Sequence, residues 1–274
     1  MSRIENALEK ASSMQTRVQR VSETAVAVEP ERFAEARSVG PRNPGIVTLT
    51  QPDSPAAEEY RKLRTALLRG PLQSTRQPAV MVTSAVSGEG KSLTAVNLAV
   101  SLAEETDRSV LLIDADMRRP SLAEYLGLDA PTGLADCLRD GTPAASAVVG
   151  TGIPRLALLP AGKANRNPVE ALSSAGMRSL IAELKRSASA RTLIIDTPPA
   201  LPFAETPVIG SMADGIVIVV REGTTTVEDL QETLRLVGET KVLGVVLNDM
   251  SEWPRNDRYQ HYYRYYAARR RENA

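Results

Sequence analysis

The stretch AVSGEGKSLTAVNLAV, residues 85–100, sets Lys91 and Ser92 directly after Gly88 and Gly90. Glycines there free the backbone to turn its N–H groups inward, and a helix opening at once adds its favourable dipole, so the loop suits phosphate oxygens. Lys91 would reach the outer phosphates of a nucleotide and Ser92 would offer a hydroxyl to Mg²⁺, with Ser87, Gly88, Glu89, Gly90 and Leu93 completing the cradle. An ordinary glycine-rich turn is the alternative, because the strict pattern G-x-x-x-x-G-K-[ST] meets Ala85 at its first position. Two acidic runs carry matching chemistry: LLIDADMRRP with Asp114 and Asp116, and TLIIDTPP with Asp196. A hard cation bridging phosphates takes few protein ligands, and Asp116 and Asp196 are the candidates to organise one. Asp114 is the candidate base for an attacking hydroxyl. A single strand-end aspartate is often only a turn cap; two such ends beside the Lys91 loop weaken that reading.

A third cluster lies at RYQHYYRYYAARRR, residues 258–271, which holds Tyr259, Tyr262, Tyr263, Tyr265 and Tyr266, five of the seven tyrosines of the chain. From Ser251 onward, six arginines stand against three acidic residues, a local net of +3. Phenols in that setting are phosphoryl acceptors, or else part of a stacking, basic patch for nucleic acid or acidic lipid.

The elements that must position these residues follow from periodicity. Short β-rich runs occur at AVMVTS (79–84), SVLLID (109–114), RLALLPA (155–161), RTLIID (191–196), GIVIVV (215–220) and VLGVVLN (242–248), with helical stretches between them. Runs apolar on both faces predict strands covered on both sides, hence a doubly wound, mainly parallel α/β sheet with its ligand at the carboxyl ends of the strands. A helix is expected over PAAEEYRKLRTALLRG, with Pro55 near its start and Gly70 as its stop. Glu58, Arg61 and Arg64 recur on one side of it, as an intrahelical ion-pair ladder or as a face for a neighbour. At the start of the chain Ser2 and Glu5 make a capping box for an amphipathic helix within 1–21. Residues 22–54 read as a linker, 55–250 as the folded domain and 251–274 as a tyrosine-rich tail.

With 274 residues, 42% of them hydrophobic, and no net charge, the chain can bury one large core and shows no bulk bias toward nucleic acid. One cysteine, Cys137, and one histidine argue against disulfides, a zinc site or a Cys/His dyad, and fit a reducing cytoplasm. Cys137 reads as a small core residue. No apolar run approaches the ~18 residues of a membrane span, and MSRIENALEK is too polar for a secretion signal. Arg118 and Arg119 would hold phosphate or tail, or make surface ion pairs.

Together, SGEGKS, LLIDADMRRP and TLIIDTPP resemble the Walker A, A′ and B motifs of the bacterial tyrosine kinases, whose P-loop ATPase fold is related to chromosome- and septum-positioning ATPases. Glu58, Arg61 and Arg64 match the family's E-x-x-R-x-x-R helix, the tail matches its tyrosine cluster, and MSRIENALEKA is similar to members encoded with exosortase and exopolysaccharide loci. The resemblance implies an Mg²⁺- and ATP-dependent protein-tyrosine autokinase that modifies its own tail tyrosines in trans and regulates capsule or exopolysaccharide synthesis and export. It further implies a ring-like homo-oligomer, octameric in the family, joined through Glu58, Arg61 and Arg64. A membrane activator of the chain-length-determinant, polysaccharide co-polymerase type and a cognate tyrosine phosphatase are the implied partners, with recruitment from the cytoplasm to the inner face of the plasma membrane and no nucleic acid. Asn248 would contact an adenine edge, as its equivalent does in related ATPases, or cap a turn. Val86 stands where the positioning ATPases carry an extra lysine, which disfavours their sandwich dimer. A positioning ATPase and a nucleotide-gated scaffold of the export machinery remain the alternative readings.

Overall fold

The computed structural model describes residues 34–35 and 40–250, apart from 74, 76, 106–108, 164–166, 187–190 and 239–241. The N-terminal helix within 1–21 and the tail tyrosines Tyr259, Tyr262, Tyr263, Tyr265 and Tyr266 lie outside the described residues.

The strands are β1 (Ala34–Glu35), β2 (Ala79–Ser84), β3 (Ser109–Asp114), β4 (Val149–Gly150), β5 (Leu156–Leu159), β6 (Arg191–Asp196), β7 (Gly215–Arg221) and β8 (Val242–Asn248), of which β2, β3, β5, β6 and β7 are apolar and buried on both faces over most of their length. Their order in the sheet is β1-β4-β5-β3-β6-β2-β7-β8. All pairings are parallel except the antiparallel β4/β5 pair. Because side chains alternate along a strand, one sheet feeds two cores. Met81, Ile113, Ile195 and Ile218 enter one of them, and Val80, Val82, Leu112, Ile194 and Val219 the other. The expected doubly wound α/β architecture is what forms.

Helices α1 (Val47–Thr50), α2 (Pro55–Arg69) and α3 (Lys91–Ala103) are followed by α4 (Leu122–Leu126), α5 (Leu134–Asp140), α6 (Ala144–Ala147), α7 (Pro168–Ser173), α8 (Ala175–Arg186), α9 (Glu205–Met212) and α10 (Val227–Val237). The Ser54 hydroxyl accepts from Ala57 N at 3.2 Å to cap α2, and Pro55 takes the first position, where its missing N–H costs nothing. From Ser92 to Ala103, α3 is buried at every position except Leu93. It is the helix that carries the phosphate-loop lysine, so its axis is held by the core.

One expectation needs correction. Residues 40–54 fall in the stretch read as linker, yet Ile46 is fully buried and α1 packs with the α3 side of the sheet. The buried Asn97 of α3 fixes this segment: its Oδ1 accepts from Thr48 N at 3.0 Å and Thr48 Oγ1 at 2.9 Å, and its Nδ2 donates to Gly45 O at 3.0 Å. A single anchored isoleucine contributes about 1.5–3 kcal/mol but leaves no repeating pattern in sequence. The folded domain therefore starts before Pro55. Cys137 is half-buried against the first core, as expected of a small packing residue.

Candidate active site

The sheet order decides which acids meet. The strand β6 lies between β2 and β3, so the Cα of Asp196 pairs with Val82 on one side and with Asp114 on the other. The phosphate loop leaves β2 two residues beyond Val82. Backbone bonds lock these strand ends together: Ala115 N donates to Asp196 O at 2.8 Å and Ala200 N to Ser84 O at 2.7 Å.

The loop itself is held from outside. Gly88 and Gly90 have φ of +86° and +91°, a region that disfavours any residue with a side chain. At Gly90 a Cβ would also stand 2.0 Å from Asn248 Nδ2. That amide donates to Glu89 O at 2.9 Å, and Arg221 Nη1 reaches Gly88 O at 3.3 Å. Glu89 is fully buried; its Oε2 accepts from Val86 N at 2.7 Å and its Oε1 from the Thr225 hydroxyl. The carboxyl ends of β7 and β8 thus brace the loop from behind. Asn248 braces it too and is absent from the cavity wall; Glu89 can serve a ligand only through its backbone.

In front of the loop, the Lys91 ammonium donates to Asp116 Oδ2 at 2.8 Å and to Ser92 Oγ at 3.0 Å, and stands 4.0 Å from Asp196 Oδ1. Asp116 Oδ1 accepts from Arg119 N at 3.0 Å. Asp114 Oδ2 accepts from the backbone of Ser121 at 3.0 Å and Leu122 at 3.1 Å, while its buried Oδ1 has no hydrogen-bond partner among the described residues. Burial, and then the Asp196 charge, push the Asp114 carboxyl up to about 8 against those two N–H bonds. Burial pushes Asp196 up to about 6 against the pull of the Lys91 ammonium and the Ser92 hydroxyl, and among the described residues neither of its oxygens completes a hydrogen bond of normal geometry. Burial alone would lower Lys91, but Asp196 and Asp116 outweigh it and hold the ammonium above its ordinary value.

A cavity of about 490 Å³ opens over this cluster. Ser87, Gly88, Gly90, Lys91, Ser92, Leu93 and Asp116 line its loop side, while Arg118, Arg119, Ser121, Tyr125, Pro199 and Phe203 line the far side. Asp114 and Asp196 lie behind Asp116, 1% and 0% exposed. Three carboxylates around one ammonium, several of their oxygens unmatched, form a setting that accepts a further cation, and Ser92 and Asp116 face the space it would enter. Among the described residues no three His, Cys, Asp or Glu side chains converge as a full metal cage.

Of the remaining candidates, Glu58, Arg61 and Arg64 lie outside the cavity wall, whereas Arg118 is part of it. Arg61 pairs with Glu58 at 3.0 Å and caps Pro52 O at 2.7 Å. Arg64 reaches across to α3, donating to Ser101 O at 2.6 Å and Glu104 Oε2 at 2.9 Å. Arg118 donates from Nε to Glu205 Oε1 at 2.7 Å. Sequence reasoning missed Glu205, Tyr125, Pro199 and Phe203. Phe203 is one of two phenylalanines in the chain, seven residues past Asp196, and that isolation next to a strand end was its available signal.

Residues 80–271 match the CobQ/CobB/MinD/ParA nucleotide binding domain. Tyrosine-protein kinase YwqD of Bacillus subtilis is 36% identical over 205 residues, covering 74% of this chain and 85% of that protein. Tyrosine-protein kinase ptk of Acinetobacter johnsonii is 32% identical over 211 residues, 76% of this chain but 28% of its own length. The kinase domain of the Escherichia coli tyrosine kinase ETK superposes with a TM-score of 0.71 at 26% identity, covering 77% of this chain and 82% of that one.

Proposed function

We propose, from the premise that this chain belongs to the CobQ/CobB/MinD/ParA nucleotide-binding family and within it to the bacterial tyrosine kinases, that it transfers the γ-phosphoryl group of ATP to tyrosines of its own C-terminal cluster. The observation that carries this reading is the Lys91 ammonium, poised between Asp116 and Asp196 at the mouth of a phosphate loop.

The loop backbone from Ser87 to Leu93 holds the phosphates, and Lys91 turns from Asp116 onto the outer ones. Mg²⁺ bound by Ser92, Asp116 and Asp196 would offset the charge of the phosphates. The phenolic oxygen attacks the γ-phosphorus as the bond to the bridging oxygen of ADP breaks, and the phenolic proton passes to Asp114. A phenol holds its proton at neutral pH, and Asp114, whose Oδ1 has no partner among the described residues, can take it in the form that has lost its own proton. Movement of Lys91 is also what opens the way from the cavity to Asp114. Asn248 acts by bracing the loop.

Tyr259, Tyr262, Tyr263, Tyr265 and Tyr266 are the acceptors, reached in trans within a ring. Glu58 and Arg61 supply the outward part of the junction, and Arg64 stiffens it from inside the chain. No helix among the described residues is long and apolar enough to cross a membrane. A membrane chain-length-determinant protein recruits and activates the kinase, a phosphatase reverses it, and the cycle regulates capsule or exopolysaccharide export.

Intact-mass spectrometry of the full chain with Mg-ATP tests the reading. Wild type should gain several phosphoryl groups, mapped to residues 258–271, and the Lys91→Met chain should gain none alone but become labelled when mixed with wild type. A wild-type chain without phosphotyrosine sinks the kinase reading; an unlabelled Lys91→Met chain in the mixture sinks transfer in trans.

A further inference from the structure

The far side of the cavity contains a device that phosphate binding does not use. Arg118 is held at its Nε by Glu205, which is fully buried as the first residue of α9 and whose Oε2 has no partner among the described residues. The guanidinium carbon lies 4.5 Å from the centre of the Phe203 ring. The terminal nitrogens of Arg118 have no partner among the described residues, and the side chain stays 37% exposed at the cavity wall. A buried carboxylate is costly, and here its one ion pair fixes a planar cation against an aromatic ring. Pro199 and Tyr125 extend that wall.

Resting on the kinase reading, we propose that this step of Arg118 and Phe203 is the acceptor subsite: the ring of the incoming tyrosine stacks there, with Glu205 as the positioning residue. An aromatic acceptor gains both ring–ring and cation–π attraction, whereas the aliphatic hydroxyl of serine or threonine gains neither. The subsite thus selects tyrosine by its ring. Charge favours the arginine-flanked sequence of residues 258–271, because Asp116, Asp196 and Glu205 already balance Lys91, Arg118 and Arg119, and a bound nucleotide adds its own negative charge to that set.

The test uses the full chain with Tyr259, Tyr262, Tyr263, Tyr265 and Tyr266 changed to Ser, given the peptide RYQHYYRYYAARRR as acceptor. Phe203→Leu keeps apolar bulk and removes the π face; it should raise the peptide KM about three- to tenfold while affinity for a fluorescent ATP analogue stays within twofold. Arg118→Ala alone would strand a buried carboxylate, so the double variant Arg118→Ala/Glu205→Gln accompanies it and should raise KM similarly. Glu205→Gln alone should raise KM less than either, since the amide can still accept from Arg118 Nε. Unchanged peptide KM in both Phe203→Leu and the double variant overturns the subsite. If the parent chain labels no peptide, the kinase reading fails instead; peptide binding by fluorescence anisotropy then decides, and equal affinity for parent and Phe203→Leu overturns the subsite too.

Discussion

Around Lys91 the charges are almost wholly withdrawn from water, and several carboxylate oxygens are left unmatched. Along α2 the charges of Glu58 and Arg61 are partly hydrated and paired with each other, and Arg64 is anchored on a neighbouring helix. The two clusters are both built of acids and bases at close range, yet they store energy differently. Surface pairs add about 0.2–1 kcal/mol because water already solvates each partner. Buried acids whose oxygens lack donors cost stability, and they are kept where a ligand will supply the missing charge. On the function proposed above, the first cluster is the place for chemistry, while in the second Arg64 ties α2 to α3.

The largest expected effect lies in the first cluster. Lys91→Met should cut phosphotyrosine formation by about 10²–10³-fold, the usual cost of removing one preorganised electrostatic contact. Asp114→Asn should lose about 10²-fold or more, the usual share of a general base. Both variants should keep the far-ultraviolet circular dichroism of wild type, because neither side chain is needed for sheet or helix bonds beyond Asp114 Oδ2, whose place an amide oxygen can take. Activity retained in both would erase the contrast between the clusters.

A pH titration of stability sharpens it next. Asp114 and Asp196 bind a proton more tightly folded, near 8 and 6, than unfolded, near 3.8. The native state therefore holds more protons between those limits, and stability falls as pH rises from about 4 to about 8, then flattens. Thermal denaturation of the ligand-free chain should show a higher midpoint at pH 6 than at pH 8. Asp114→Asn should flatten most of the slope, whereas Arg61→Ala should leave it intact. A slope insensitive to Asp114→Asn would contradict the assignment of the buried acids.

The smallest effects separate the members of the second cluster. Arg64→Ala removes charged hydrogen bonds to Ser101 O and Glu104 and should cost about 1.5–2 kcal/mol, a fall of roughly 3–8 °C in Tm. Arg61→Ala should cost under about 1 kcal/mol. Equal losses in the two would mean that Arg64 is as loosely held as its neighbour.

Much of this was legible in the sequence because it is local. Strands read from short runs apolar on both faces, Pro55 and Gly70 bracketed α2, and Gly88, Gly90, Lys91 and Ser92 announced a phosphate loop by chemistry within five residues. The motif resemblance extended that local reading to a family, which the relatives bear out. Three things came only with the tertiary structure. Asp196 sits between Val82 and Asp114 because β6 inserts between strands that precede it in the chain, and no window of sequence encodes that order. Asn97 draws residues 45–48 into the core across about fifty positions, turning part of an expected linker into structure. Glu205 meets Arg118 across 87 residues, and Asn248 meets the phosphate loop across 159. Periodicity and turn chemistry are properties of neighbours along the chain and survive in the sequence alone. Which distant side chains share a buried site depends on sheet order and register, and these are decided only when the whole core packs.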